Sequence, residues 1–277
     1  MTTVDAGREA GTSVVAGGIA TNYHDLGSGD PVLLIHGSGP GVSAWANWRL
    51  TLPVLAERYR VIAPDVVGFG YTAAPAGFRY GRDAWSAHLL AFLDALGLER
   101  VSVVGNSFGG ALALALAHEH PDRVAKLVLM GSVGLSFPLT PGLDAVWGFE
   151  PSPAGMRRLM ELFVYDPAGL TDELAELRYR AATRPGVAES FAAMFPAPRQ
   201  RWVDALALDE EQVRGLRHET LVVHGRDDRV IPLAVSLRLA SLIERSDLHV
   251  FGRCGHWVQI EAHERFTRLV GDFLAAG

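Results

Sequence analysis

The chain has one cysteine in 277 residues, Cys254, so no intramolecular disulfide can brace it, and the composition suits a reducing cytoplasm. It has no apolar run near the ~18–20 residues that a membrane-spanning helix needs; the richest stretch, Gly110 to Ala117, is far too short. The opening MTTVDAGREAGTS contains neither a basic nor an apolar region, so no secretory signal is expected there. Basic blocks are missing too. With 25 Lys and Arg against 31 Asp and Glu, a net charge of −6 is spread along the chain, which argues against nucleic acid and anionic membrane as partners. No repeat, low-complexity tract or zinc-like ligand spacing is visible, so no metal and no cofactor are expected. What is present is an ordinary globular composition, 49% hydrophobic and 20% charged, enough for one large core or two smaller ones.

Six short runs are apolar on consecutive residues: PVLLIH from Pro31, RVIAPD from Arg60, VSVVGN from Val101, KLVLMG from Lys126, TLVVHG from Thr220 and DLHVFG from Asp247. Strands hydrophobic on both faces belong to a parallel sheet covered on both sides. Helical patterns from Asp83, Phe108 and Leu233 alternate with them, which is the signature of an α/β fold. An eight-stranded, mostly parallel sheet is expected. Residues 134–208 break the rhythm with helical periodicity alone and eight of the fifteen prolines, among them Pro138, Pro151 and Pro198. Prolines at such intervals punctuate short helices, and the Leu, Met, Phe and Trp content is too apolar for a loose linker. The segment reads as a helical cap inserted into a core formed by residues 1–133 and 209–277.

The chemistry gathers at strand ends. Gly105-Asn106-Ser107-Phe108-Gly109 matches G-x-S-x-G directly after a strand and at the start of an Ala/Leu-rich helix; such a turn lifts a serine oxygen clear of the sheet. A serine hydroxyl needs a base and the base an orienting acid. His256, in Cys-Gly-His-Trp after the last strand, and Asp228, after His224-Gly-Arg-Asp227, complete the chain order Ser…Asp…His of α/β-hydrolases. Asp227 is the rival acid. The loop His36-Gly37-Ser38-Gly39-Pro40-Gly41 follows the first apolar run, and its N–H groups with that of Phe108 would form an oxyanion hole. No Lys-Ser/Thr follows it as in a P-loop, and its glycine spacing is wrong for a dinucleotide site. Cys254 has no second base beside it and reads as a buried or pocket-lining thiol, and Asp65 as a brace for its own loop.

In this order HGSGPG, DVVGFGYT, GNSFGG, HGRDDRVIP and CGHWVQIE resemble the meta-cleavage product hydrolases, α/β-hydrolases that break a carbon–carbon bond in ring-fission products of catechols. The resemblance runs from about Thr21 to Leu274, and the cap is similar to that of 2-hydroxymuconate-semialdehyde hydrolases. It implies a triad of Ser107, Asp228 and His256, oxyanion donors at Ser38 and Phe108, and substrate contacts from Gly37, Asn47, Asn106, Arg184 and Trp257. Arg184 would face the carboxylate end of the substrate. The implied reaction is cleavage of the C5–C6 bond of a 2-hydroxy-6-oxo-2,4-dienoate, with Ser107 either acylated or activating water. Expected with it are a small-molecule dienoate substrate, a homo-oligomer (dimer or higher) and a cytoplasmic location. Bulky cap residues Phe137, Leu139, Trp147, Phe149, Met156, Met160 and Phe163 suggest a small C6 group. Alternatives are a hydrolase for larger alkyl or aryl ketones, a carboxylesterase, and a non-catalytic ligand receptor; a haloalkane dehalogenase would want Asp at position 107.

Overall fold

The computed structural model describes residues 9–276. Its strands are β1 Thr12–Ala16, β2 Ile19–Leu26, β3 Pro31–Ile35, β4 Arg60–Pro64, β5 Val101–Asn106, β6 Val124–Met130, β7 Glu219–Gly225 and β8 Ser246–Phe251. They form one sheet in the order β1-β2-β4-β3-β5-β6-β7-β8. Strand β2 runs against both neighbours, and every pairing from β4 through β8 is parallel.

Six of the eight strands are the apolar runs read from the sequence. The other two form a hairpin turning at Gly17-Gly18, whose φ values of 57° and 84° suit a two-residue hairpin loop. This hairpin lies at the sheet edge, with Val15 67% exposed. An edge strand solvated on one side carries no continuous apolar run, so the only sequence signal was the Gly-Gly pair between β-branched stretches.

Between β3 and β4 lie α1 (Ala44–Trp48) and α2 (Thr51–Leu55); α3 (Arg82–Ala95) and α4 (Phe108–Glu119) flank β5. Six helices separate β6 from β7: α5 (Pro141–Trp147), α6 (Pro153–Phe163), α7 (Asp172–Ala182), α8 (Val187–Met194), α9 (Gln200–Leu206) and α10 (Glu210–Arg214). Helix α11 (Leu233–Leu242) joins β7 to β8, and α12 (Val258–Glu261) and α13 (His263–Ala275) follow. Among the described residues no strand interrupts the stretch from Met130 to Glu219. Its prolines do what their fixed φ allows: Pro141 and Pro153 open α5 and α6, with Thr140 and Ser152 accepting N–H bonds as caps.

The sheet separates two apolar clusters. Leu33, Ile35, Val103, Leu127 and Leu129 face one way and pack with α3, α4 and α11; Val32, Leu34, Val104, Val128 and Met130 face the other and pack with Leu52, Phe266 and Val270 of α2 and α13. Burial on both faces is why these strands read as unbroken apolar runs.

Candidate active site

Between β5 and α4 the chain turns so tightly that Ser107 takes φ 55° and ψ −115°. A non-glycine residue held there costs on the order of 1–3 kcal/mol and needs fixing from several sides. The Ser107 N–H donates to the Met130 carbonyl at 2.9 Å, and its own carbonyl accepts from Gly110 and Val133 N–H groups. Small neighbours are obligatory: a Cβ on Gly105 would sit 2.4 Å from the Gly109 carbonyl oxygen, and one on Gly109 2.3 Å from that of Ile35. Phe108 is the first residue of α4, and the first N–H groups of a helix have no intrahelical acceptor.

His256 Nδ1 stands 2.7 Å from Asp228 Oδ2. The other carboxylate oxygen accepts the Val230 and Ile231 N–H groups at 2.7 and 3.0 Å. Burial pushes the Asp228 pKa up, but His256, His224 and these donors outweigh it, and the net shift is downward. Asp228 is therefore an anionic acceptor that fixes the proton of His256 on Nδ1 and leaves Nε2 to act as a base. Asp227 turns away; its carboxylate meets the Cys254 N–H at 3.4 Å and the Arg226 guanidinium at 3.6 Å. Gly131 (φ 50°) lies against this pair, and a Cβ there would sit 3.3 Å from both Asp228 Oδ2 and His256 Nδ1, close enough to crowd them. The turn carrying His256 is held by Glu261, which accepts from Gly255 N–H at 2.6 Å and from Tyr165 N–H at 2.8 Å.

The glycine loop after β3 is braced by His36. The Val66 N–H donates to His36 Nε2 at 3.0 Å, so the proton is on Nδ1, which donates to the Gly37 carbonyl at 2.8 Å. Ser38 Oγ accepts from Trp147 Nε1 at 2.9 Å, tying the loop to α5. Asn47 Oδ1 accepts from Gly37 N–H and from Asn106 Nδ2 at 3.2 and 2.9 Å. That leaves the buried Asn47 Nδ2 and Asn106 Oδ1 without protein partners, a state polar groups tolerate where a ligand completes them.

Burial lowers both His36 and His88 from 6.5 to about 4. A depressed pKa contributes stability that is complete above pH 6.5 and lost as pH falls towards 4, up to ~3 kcal/mol per histidine. Asp65 works the other way. Burial raises it from 3.8 to about 6, outweighing the donors from Ala44, Tyr71 and Asn22, so its protonation offsets ~3 kcal/mol over much of that range. Net stability should fall from pH 6.5 to 4, read as the urea midpoint, and His88→Gln should flatten that slope.

One cavity joins these parts. Ser107 and His256 line it with Gly37, Ser38, Asn47, Asn106 and Trp257. From α5 and α6 come Leu143, Val146, Met156, Leu159, Met160 and Phe163, the last stacked on Trp257 with ring centroids 4.7 Å apart. Of the bulky residues expected to shape it, Met156, Met160 and Phe163 are in the wall; Phe137, Leu139, Trp147 and Phe149 are not among its lining residues. Cys254 is buried in the second apolar cluster, its thiol pushed up to about 12 chiefly by burial. Asp65 is a brace, joining β2, α1 and the Tyr71 turn through the same donors.

The arginine differs from expectation. Arg184 lies past the end of α7, donates to the Gly70 carbonyl at 2.9 Å and covers the Tyr71 ring at 4.0 Å; it is not among the cavity's lining residues. The cavity's guanidinium is Arg178, six residues earlier, which donates to the Gly41 carbonyl at 2.8 Å. Helical phase explains the correction. Arg178 follows buried Ala175 by three residues and precedes buried Ala182 by four, so all three share the inward face of α7.

Residues 30–263 match the family model of the alpha/beta hydrolase fold. Over 276 residues the chain is 65% identical to a 2-hydroxy-6-oxo-2,4-heptadienoate hydrolase of Pseudomonas putida F1, covering 100% of this chain and 99% of that one. It is 62% identical over 267 residues to a 2-hydroxymuconate semialdehyde hydrolase of Pseudomonas sp. CF600, covering 96% and 94%. The solved structure of a serine-to-alanine mutant of a meta-cleavage product hydrolase from Pseudomonas fluorescens IP01, complexed with acetates, superposes with a TM-score of 0.95 at 57% identity, over 96% and 98% of the chains. The chain belongs to the meta-cleavage product hydrolases of the α/β-hydrolase fold.

In this meta-cleavage product hydrolase, then, the geometry brings together Ser107, His256, Asp228, Ser38, Gly37, Asn47, Asn106 and Trp257, and separates Arg184 from them. Sequence reasoning missed Arg178, Gly131 and Glu261, and placed Trp147 at the pocket without its bond to Ser38. For Arg178 the helical phase was a usable signal; Gly131 and the Trp147 bond join segments far apart in the chain, and Glu261 bonds both nearby Gly255 and distant Tyr165, a contact that no local pattern marks.

Proposed function

We propose that this hydrolase cleaves the C5–C6 bond of 2-hydroxy-6-oxo-2,4-dienoates, with 2-hydroxymuconate semialdehyde and water giving formate and 2-hydroxypenta-2,4-dienoate. The observation that carries this reading is a single cavity with Ser107 and His256, Arg178 and the Asn47 amide for an anionic end, and apolar walls from α5 and α6. The names of the two relatives above, which differ at C6 by hydrogen against methyl, support the substrate class. Residues 134–208 act as the cap, carrying the acyl-end walls and Arg178, over a core of residues 9–133 and 209–276; residues 1–8 and 277 of the expected core lie outside the described residues.

In this reading Arg178, Asn47 and Asn106 hold the C1 carboxylate and C2 oxygen, with Gly37 and Trp257 alongside. The enol has no leaving group until it becomes a ketone, so a proton moves first from the C2 hydroxyl to C5, through His256. Ser107 then attacks the C6 carbonyl as His256 Nε2 takes its proton, and Asp228 holds the imidazolium. The oxyanion forms against the Ser38 and Phe108 N–H groups. When the C5–C6 bond breaks, its electron pair flows towards the C2 oxygen, which the Arg178 charge stabilises and which takes the proton from His256 to give 2-hydroxypenta-2,4-dienoate; neutral His256 then takes a proton from water, which attacks the formyl ester, and returns that proton to Ser107 as formate leaves. Arg184 serves instead to anchor the end of α7 to the Gly70-Tyr71 turn.

A small C6 group should be preferred, since Leu143, Val146, Met156 and Leu159 leave little room at the acyl end. Each misfit methylene costs ~1–3 kcal/mol, so discrimination is tens to hundreds of fold. Specificity constants for the hydrogen, methyl and phenyl compounds, followed by loss of long-wavelength absorbance, test this. Best cleavage of the phenyl ketone would refute the small pocket, and cleavage of none of the three would refute the reaction. A homo-oligomer in the cytoplasm is part of the same reading, and the lone buried thiol suits that reducing compartment.

A further inference from the structure

A second cavity adjoins the first behind Arg178. The two share Val42, Asn47, Met160, Arg178 and Trp257 as walls, and the second adds Glu9 and Arg49. Three guanidiniums crowd this end of the molecule. Arg49 and Arg184 both act on Arg178 as like charges, and burial compounds them: only 14% of the Arg178 side chain is exposed. Among the described residues, the carboxylate paired with Arg178 is Glu9, with Oε1 4.0 Å from Arg178 Nη1. Glu9 is itself 7% exposed and fixed twice. Tyr71 donates its hydroxyl to Glu9 Oε2 at 3.4 Å, and His24 Nε2 meets the Glu9 backbone carbonyl at 3.3 Å.

We propose that Glu9 is a positioning residue whose buried carboxylate keeps Arg178 turned into the cavity before substrate arrives. The proposal rests on the reading of Arg178 as the anchor of the dienoate carboxylate. In the free enzyme the Arg178 guanidinium sits among like charges with one neutral acceptor, the Gly41 carbonyl. Such a side chain escapes to water unless a counter-charge holds it, because repulsion and desolvation both act against it in a low-dielectric site. Arg178 is lowered to about 10, chiefly by burial, with Glu9 the group that pulls it back up. Glu9 thus raises the fraction of enzyme whose guanidinium is already in place. Apparent affinity scales with that fraction. Once substrate is bound, its own carboxylate supplies the counter-charge, so the chemical step no longer depends on Glu9.

This gives a signature that loss of packing would not give. Glu9→Gln, which keeps the shape, should raise KM for a 2-hydroxy-6-oxo-dienoate about tenfold and leave kcat within about twofold. Hydrolysis of neutral p-nitrophenyl butyrate should be unchanged, and Glu9→Asp, which restores the charge on a shorter arm, should recover part of the KM. A KM within twofold of the parent, or a loss shared equally by the ester, would overturn the proposal. Should the parent enzyme cleave no dienoate, the functional reading fails and Glu9 is judged separately. Sorbate, a plain 2,4-dienoate anion, then serves as competitive inhibitor of ester hydrolysis: a Ki raised about tenfold by Glu9→Gln supports the role, and an unchanged Ki overturns it.

Discussion

His256→Ala is expected to lower dienoate turnover by at least about 10³-fold while the protein stays folded, because it removes the group that moves every proton in the proposed cycle. Ser107→Ala should do similar damage, and the double variant little more than either alone, since residues acting as one unit are not additive. Asp228 extends the test. Its Oδ2 lies 2.7 Å from His256 Nδ1, and Oδ1 is already occupied by two backbone donors. Asp228→Asn would replace the anion with an amide that cannot fix the Nδ1 proton, so a loss of orders of magnitude is expected. Asp227→Asn should cost far less, since Asp227 faces the Cys254 turn and Arg226. Steady-state rates with circular dichroism as a folding control decide the ranking. Near-normal turnover in His256→Ala, or Asp227→Asn the worse of the two, would remove the assignment.

The second large effect separates two arginines six residues apart. Arg178→Ala should cost ~2–4 kcal/mol in the transition state for dienoate cleavage, roughly 30- to 1,000-fold in kcat/KM, the scale of losing a major electrostatic stabiliser. Hydrolysis of p-nitrophenyl butyrate, which brings no carboxylate, should change much less. Arg184→Ala should affect both substrates to a similar, smaller degree. Its guanidinium covers Tyr71 and bonds the Gly70 carbonyl, so its loss loosens the end of α7 without removing a charge from the cavity. Equal losses on dienoate and ester in Arg178→Ala would show that this arginine holds the cap together and does not read the substrate.

What the sequence determined by itself was everything that a local pattern can encode. Strands buried on both faces had to be apolar on consecutive residues, so β3 to β7 were legible as runs. A strand-to-helix turn that brings backbone within 2.4 Å of a would-be Cβ admits only glycine at Gly105 and Gly109, so the Ser107 turn announced itself. The helices that Pro141 and Pro153 open between β6 and β7 were legible for the same kind of reason. The tertiary structure decided what depends on two distant segments meeting. The β1–β2 hairpin is solvated on one side and stands out only by its Gly-Gly turn. Whether Asp227 or Asp228 meets His256 depends on how the turn after β7 docks against the turn after β8, with Gly131 lying against the pair. Arg178 and Arg184 are the same residue type in one stretch of chain; helical phase puts Arg178 on the face of α7 that carries Ala175 and Ala182, and the docking of that face against the Gly41 loop brings it to the cavity. A side chain's type is written locally, but its partners are set by packing between segments, and a charge acquires its role from the partners it meets.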